Sequence, residues 1–328
     1  MEILLSGYGK RPDNTVALYH YDGDDSISLK WQTSIDQASF LCEGDGYLFT
    51  ITEEDDHAYV YLLKRIEEGY HLLDQRKING GALCHITYSS ENKALFGACY
   101  GTGTVFSIRV EQGKFGELLH HEIQEGEKID AITRAHYVLL NKEETLLAAI
   151  NIALDQVYFY NLNNGIMTPS GVLQVPKNTG PRHALYSQDE TLLYIITEYS
   201  NEILVYDLDS KELIHRYTTL AKDFTGSSNC STLCFSKDGR YLYAANRGAD
   251  SIVLFAVHQD GSLTLLGEFD CGGKHPRHMI ISPDGSHLMV CNQHSDNIAI
   301  FKLNQKNGHI DQLLSMNFPT PSGVLAFE

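Results

Sequence analysis

The sequence predicts an all-β fold, a seven-bladed β-propeller of four-stranded antiparallel blades whose ring is closed by the N- and C-terminal strands. Three observations predict it. One segment recurs without a gap as SQDETLLYIITEYSNEILVY (187–206), SKDGRYLYAANRGADSIVLF (236–255) and SPDGSHLMVCNQHSDNIAIF (282–301). Earlier copies bring the repeat to a spacing of 46 to 52 residues, which suits four strands with their loops. Short β-rich runs alternate with Gly, Asp and Asn turns, and hardly any segment carries a helical period.

In chain order, MEILLSGYGK and NTVALYHY supply the second half of one unit. A weaker copy begins near Cys42 with EGDGYLFTITE. LLKRIEEGYHLLDQ (62–75) could pass for a short helix, but its place between two strands makes it the outer hairpin of that blade. SSENKALFGACYGTGTVFSI (89–108) and NKEETLLAAINIALDQVYFY (141–160) follow in the same frame as the three copies quoted above. GVLAFE (323–328) is expected to pair with the N-terminal strands, completing a seventh blade and removing exposed sheet edges. The whole chain, 1–328, reads as one propeller domain.

Composition narrows the function classes. At 43% hydrophobic and 20% charged the chain is an ordinary globular protein, with no signal-peptide pattern at Met1 and no apolar run of membrane length. Seven scattered cysteines form no CxxC pair and no zinc spacing, which points to reduced thiols and a cytoplasmic location. A net charge of −17 argues against nucleic acid or an anionic membrane as partner. An anionic small molecule would need locally concentrated positive charge.

The repeat frame locates such a concentration. The innermost strand of a blade and its antiparallel neighbour put the start of one and the end of the other on the same face. The first position holds Cys84, His136, Arg182, Ser231 and Arg277; the second holds Tyr100, Ile152, Glu198, Arg247 and Gln293. His136, Arg182, Glu198, Arg247, Arg277 and Gln293 are therefore expected around one mouth of the channel. His183, His278 and Asn246 lie next to them in sequence. A plainer role is open for several of them, though less so for Glu198, a carboxylate that needs partners or water if it is buried. The Pro-Arg-His of TGPRH (179–183) and KHPRH (274–278) could simply mark the crossover between blades, His183 and His278 alternate away from the arginines, and Asn246 suits a turn. Ser231 has nothing nearby to mark it as a nucleophile.

These segments resemble the bacterial 6-phosphogluconolactonase family of seven-bladed propellers, which also contains the fungal carboxymuconate lactonizing enzymes. GPRH with SQDETLLYIITEYSNE, YAANRG with DSI, and HPRH with SPDG and LMVCNQ carry the likeness, mainly over residues 179–301. The resemblance implies His136, Arg182, Arg277 and Glu198 as the working residues. The chain departs from the family pattern in three places. TRAHY has Arg134 where a His-x-His pair begins, and NIA (151–153) stands for Asp-Leu-Gly. In addition, Thr197–Glu198 replaces the family's Asn-Glu.

The implied activity is hydrolysis of a phosphorylated or acidic sugar lactone, 6-phosphogluconolactone to 6-phosphogluconate, in glucose metabolism by the pentose phosphate pathway. Glu198 or His136 would activate water, and one of Arg182 and Arg277 would stabilise the oxyanion. The other arginine, with Arg247 and the flanking Gln293, His183 and Asn246, would hold the substrate. Arginine suits this because its planar fork binds carboxylate or phosphate through two hydrogen bonds. No metal or other cofactor is expected, and the chain should act as a monomer or weak homodimer. A muconate-type cycloisomerase and a non-catalytic ligand-binding propeller are the alternatives.

Overall fold

The computed structural model describes residues 1–328 apart from 11, 12, 14, 24, 25 and 127–131. Its strands are β1 (Glu2–Gly7), β2 (Val16–Tyr21) and β3 (Ile27–Thr33), then β4 (Leu41–Gly44), β5 (Tyr47–Glu54), β6 (His57–Ile66) and β7 (Gly69–Ile78). Next come β8 (Leu83–Ser89), β9 (Ala94–Cys99), β10 (Thr104–Glu111) and β11 (Lys114–Ile123). They are followed by β12 (Ala135–Leu140), β13 (Leu146–Asn151), β14 (Gln156–Asn163) and β15 (Ile166–Gln174). The sheets of the second half are β16 (Pro181–Tyr186), β17 (Leu192–Thr197), β18 (Glu202–Asp207) and β19 (Leu213–Thr218), then β20 (Asn229–Phe235), β21 (Tyr241–Arg247), β22 (Ser251–Val257) and β23 (Leu263–Asp270). Last are β24 (Pro276–Ile281), β25 (His287–Asn292), β26 (Asn297–Leu303), β27 (Ile310–Asn317) and β28 (Pro321–Phe327).

Each consecutive set of four is one antiparallel sheet, and β28 returns to pair with β1 in the order β28-β1-β2-β3. These are the seven four-stranded blades of a β-propeller. The segment 62–75 is the β6–β7 hairpin, as its position between strands demands. The described residues contain one helical element, a single 3-10 turn at Gln293–Ser295, and no helix long and apolar enough to cross a membrane.

Two compact units can be separated. One comprises Met1–Tyr8, Ala17–Leu29 and Arg182–Glu328, which is most of the terminal sheet and the three sheets from β16 to β27. The other comprises Gly9–Val16 and Lys30–Pro181, with the sheets β4–β7, β8–β11 and β12–β15. Within each unit the core lies between neighbouring sheets. Tyr243, Ile252 and Leu254 pack on Val290, Ala299 and Phe301 in the first; Phe49, Ile51 and Val60 pack on Ile86, Leu95 and Phe106 in the second.

Local chemistry explains why the repeat runs without gaps. At each of three corresponding turns a serine hydroxyl donates to the Asp two residues on and accepts the N–H five residues on. The distances are 2.6 and 2.9 Å at Ser187, 2.7 and 3.0 Å at Ser236, and 2.5 and 2.9 Å at Ser282. Gly239 and Gly285 complete two of these turns at φ +72° and +77°, where a side chain would be strained. A second device links each blade to the next. Asp155, Asp250 and Asp296, all with left-handed backbone, accept the N–H groups of Gly180, His275 and Thr320 at 2.8, 2.8 and 2.7 Å. Insertion or deletion between these points would break a hydrogen bond that fixes the turn or the link, buried at Gly180 and half-buried at His275.

A third device aims side chains. The pairing of inner and second strands shifts register at Cys84, at His136, between Cys230 and Leu233, at Arg277 and at Ser322. Such a shift leaves a residue, or two between Cys230 and Leu233, outside the ladder and re-aims it. In the first four of these sheets the first position of the sequence frame, Cys84, His136, Ser231 or Arg277, lies at the shift.

Candidate active site

Bulge side chains and the residues that end the second strands meet in the first unit. Arg182 leaves β16 buried, with 3% of its side chain exposed, and its Nε lies 3.0 Å from Glu198 Oε2. Arg247, the last residue of β21, puts Nη2 2.8 Å from the same oxygen. Both ion pairs thus converge on Oε2, while the Glu198 side chain retains 19% exposure. Burial alone would push the Glu198 carboxyl up. The charges of Arg182 and Arg247, with Arg277 behind them, overcome that and hold it below the usual carboxylate range.

Both arginines are also fastened to backbone. Arg182 Nη1 donates to the carbonyl of Ser231 in the next sheet and to His183 Nε2 at 2.9 Å. Arg247 Nη2 donates to the Cys230 carbonyl at 2.9 Å, and its Nε lies 3.4 Å from that of Asn229. Ser231 lies at the neighbouring register shift and meets Arg182 through its backbone carbonyl. Its own hydroxyl donates to the Pro276 carbonyl at 2.6 Å, so it is held as a link between sheets rather than poised as a nucleophile. Cys230 is no nucleophile either: burial pushes its thiol up to about 12.

Arg277 is placed differently. It is only partly buried, its guanidinium carbon sits 4.8 Å from the centre of the Tyr8 ring, and Nη2 donates to the Tyr8 hydroxyl. Tyr8 follows the last residue of β1, so it stands in the terminal sheet where Glu198, Arg247 and Gln293 stand in theirs. Two residues before Arg277, His275 has φ +62° and stacks on His294 at 3.8 Å. Burial first, then the charge of Arg247, pushes His275 down to about 3, so it is neutral at physiological pH. Neither Tyr8 nor His275 was among the expected residues. The frame rested on five complete copies and left out the split terminal one, although Gly7–Tyr8 aligns with Cys99–Tyr100.

The remaining candidates have contacts of their own. His183 bridges Arg182 and Thr232, whose Oγ1 lies 3.3 Å from Nδ1. His278 accepts the Val324 N–H at 3.3 Å on Nδ1, and burial, followed by the charges of Arg182 and Arg277, lowers it to about 4. Asn246 is fully buried, with its amide on Thr219, Cys230 and Ser251. Gln293 follows β25 with its N–H on the His275 carbonyl at 3.1 Å; its Oε1 is buried without a hydrogen-bond partner among the described residues. His136 belongs to the second unit, buried on its bulge with the Tyr100 ring edge-on at 5.9 Å. In the same unit Arg134, the residue in place of the family's first histidine, lies over Tyr100 at 4.7 Å and donates to its hydroxyl. Among the described residues the one group of three metal-ligating side chains is Glu54, Asp56 and His57 on the β5–β6 turn, remote in sequence from these residues.

The fold agrees with what is found in known proteins. A family model described as "Lactonase, 7-bladed beta-propeller" matches residues 2–326. A 6-phosphogluconolactonase of Bacillus subtilis is 29% identical over 250 residues, 71% of this chain and 70% of that one. A solved Lactobacillus plantarum protein superposes with a TM-score of 0.92 at 23% identity over 100% of this chain and 99% of its own. A periplasmic gluconolactonase of Pseudomonas aeruginosa does so with a TM-score of 0.91 at 22% identity, over 99% and 98%. The chain belongs to the lactonase family of seven-bladed β-propellers.

Proposed function

We propose that the chain hydrolyses an acidic sugar lactone, with 6-phosphogluconolactone as the substrate and 6-phosphogluconate as the product, in the cytoplasmic pentose phosphate pathway. The observation that carries this reading is the set of three guanidinium groups around Glu198 in a chain of net charge −17. A polyanionic protein would repel an anionic substrate unless positive charge were concentrated where it binds. The Bacillus subtilis relative named for this reaction supports the choice of substrate.

In this reading Glu198 is the base. Two arginines on Oε2 leave the other carboxylate oxygen to receive a proton from water as that water attacks the lactone carbonyl. Negative charge then develops on the carbonyl oxygen within the field of Arg182 and Arg247, which stabilises it. Collapse breaks the ring C–O bond, Glu198 returns the proton to the departing alkoxide, and the new acid ionises. A carboxylate held at low pKa is a weak base. A lactone that water opens unaided makes only a modest demand on it. Arg277 binds the phosphate, because it is the most exposed of the three arginines and phosphate is matched by the guanidinium fork.

A continuous assay of 6-phosphogluconolactone hydrolysis, corrected for spontaneous opening, tests the proposal. Turnover well above background by the wild type, with KM raised in Arg277→Ala, is the expected result. A wild type indistinguishable from background ends the reading for this substrate. Equal turnover of unphosphorylated gluconolactone would move the substrate class away from phosphate esters.

A further inference from the structure

We infer that Tyr8 is a positioning residue for Arg277, and that the Tyr8–Arg277 pair is what recognises the anionic end of the substrate. This rests on the lactone-hydrolase reading above and identifies which part of the site reads the phosphate. The two groups come from positions 269 residues apart. Tyr8 presents two different holds to one guanidinium: its π face, 4.8 Å from the Arg277 carbon, and its hydroxyl, which accepts from Nη2. The first fixes the distance of the cation from β1, and the second fixes the rotation of its plane.

A phenol does this without adding a formal charge of its own. Arg182 and Arg247 each contact the Glu198 carboxylate directly and backbone carbonyls besides. Their field is partly cancelled at contact distance, and with 3% and 9% of their side chains exposed they have little surface to offer an incoming dianion. Arg277 is partly exposed and held by an aromatic ring, so it can meet a phosphate with its fork already oriented. An arginine restrained in this way loses less rotamer freedom on binding than a mobile one.

The terminal sheet places Tyr8. β1 pairs with β28 from Glu2–Phe327 to Gly7–Pro321, and the Tyr8 N–H donates to the Thr320 carbonyl at 3.1 Å. Ser322 occupies the bulge in this sheet, just as Ser231 occupies the one that Arg182 reaches. Arg182 and Arg277, at the same place in the repeat, each precede a sheet with a small serine at its register shift. Ligand binding at Arg277 is thereby coupled to the pairing that joins the two ends of the chain.

The test compares wild type, Tyr8→Phe and Tyr8→Leu. Hydrolysis of 6-phosphogluconolactone and of gluconolactone is followed, together with calorimetric binding of 6-phosphogluconate. Tyr8→Phe keeps the ring and should raise KM and Kd for the phosphorylated ligands about threefold. Tyr8→Leu removes both holds and should raise them about thirtyfold, with kcat changed by less than about twofold. The unphosphorylated lactone should respond to neither.

If Tyr8→Leu does not fold, the Tyr8→Phe shift and its disappearance in an Arg277→Met background still decide the matter, because a residue acting through Arg277 has no effect once Arg277 is gone. Unchanged KM and Kd in both Tyr8 variants, or equal losses for the two lactones, overturn the inference and leave the hydrolase reading standing. A wild type that neither turns over nor binds the phosphorylated compounds overturns the hydrolase reading, and this inference with it.

Discussion

Arg182 and Arg277 share a repeat position, follow the same proline and precede the same histidine, yet the protein uses them differently. Arg182 is buried, paired with Glu198 and bonded to the carbonyl of Ser231 in the next sheet. Arg277 is half exposed and rests on an aromatic ring. The repeat decides where a side chain leaves the ladder, and the neighbouring sheet decides what it does there. One Pro-Arg-His motif is largely a joint, and in the function proposed above the other is largely a hand.

The sharpest way to break this contrast is at Glu198, which both buried arginines require. Glu198→Gln should lower kcat by about 10²–10⁴-fold if the carboxylate is the base. It also leaves two buried guanidiniums uncompensated, so denaturant unfolding must accompany the rate measurement. Full activity in a folded variant would remove Glu198 from the chemistry. Next in size, Arg182→Ala should destabilise the fold by about 3 kcal/mol, the scale of breaking a buried ion pair, whereas Arg277→Ala should change stability by less than about 1 kcal/mol. Equal losses from the two would erase the distinction.

Arg277→Ala should instead raise KM about ten- to a hundredfold, as expected for losing a hydrogen-bonded charge on the substrate. A variant that loses kcat at constant KM would reassign Arg277 to the transition state.

The pH dependence separates the two regions more gently. Glu198 has a lowered carboxyl pKa, so its contribution is complete above the unfolded carboxylate value and is lost as pH falls through the lowered one. Activity should therefore persist below the usual carboxylate range before it fails. His278, lowered to about 4, and His275, lowered to about 3, stay neutral in the fold while an unfolded histidine protonates near 6.5. Both therefore favour unfolding as pH falls from about 6.5 toward those values, and Tm should decline across that window. A His278→Gln variant, which keeps an acceptor for the Val324 N–H, should show a flatter decline; an unchanged slope would assign the effect to other groups. Smallest of all, His275→Gly, which gives KHPRH the residue that TGPRH has at φ +64°, should shift stability by under about 1 kcal/mol. A larger loss would mean that the stack on His294 holds the segment.

Much of the architecture was legible because its joints are made by short-range chemistry. The Ser–Asp turns and the linking aspartates are local hydrogen-bond patterns, so they recur as letters at fixed spacing. The same frame found Glu198, Arg182 and Arg247, because strand ends in a blade are fixed by those joints. It could not tell that Arg182 is buried and Arg277 is not, since that depends on Ser231 in one adjacent sheet and Tyr8 in another. Tyr8 escaped because its repeat is divided between the two ends of the chain. Asn246 reads as a polar residue at a strand end, and only the packing around Thr219 and Cys230 turns it inward. His136 carries the right letter at the right position. Its contacts include the Tyr100 ring and the Cys84 thiol, which donates to its backbone carbonyl.

The pairing of β28 with β1 also sets a clock. During synthesis Tyr8 emerges long before the segment that will hold it in place, and at typical elongation rates β28 follows roughly 15–60 s later. Until then the terminal sheet lacks its inner strand, and the ring under Arg277 has nothing to fix it. Closing so long a loop is entropically uphill and slow compared with forming the local hairpins. If the Tyr8–Arg277 pair recognises an anion as proposed, that ability should be the last the nascent protein acquires, well after most of its blades are built.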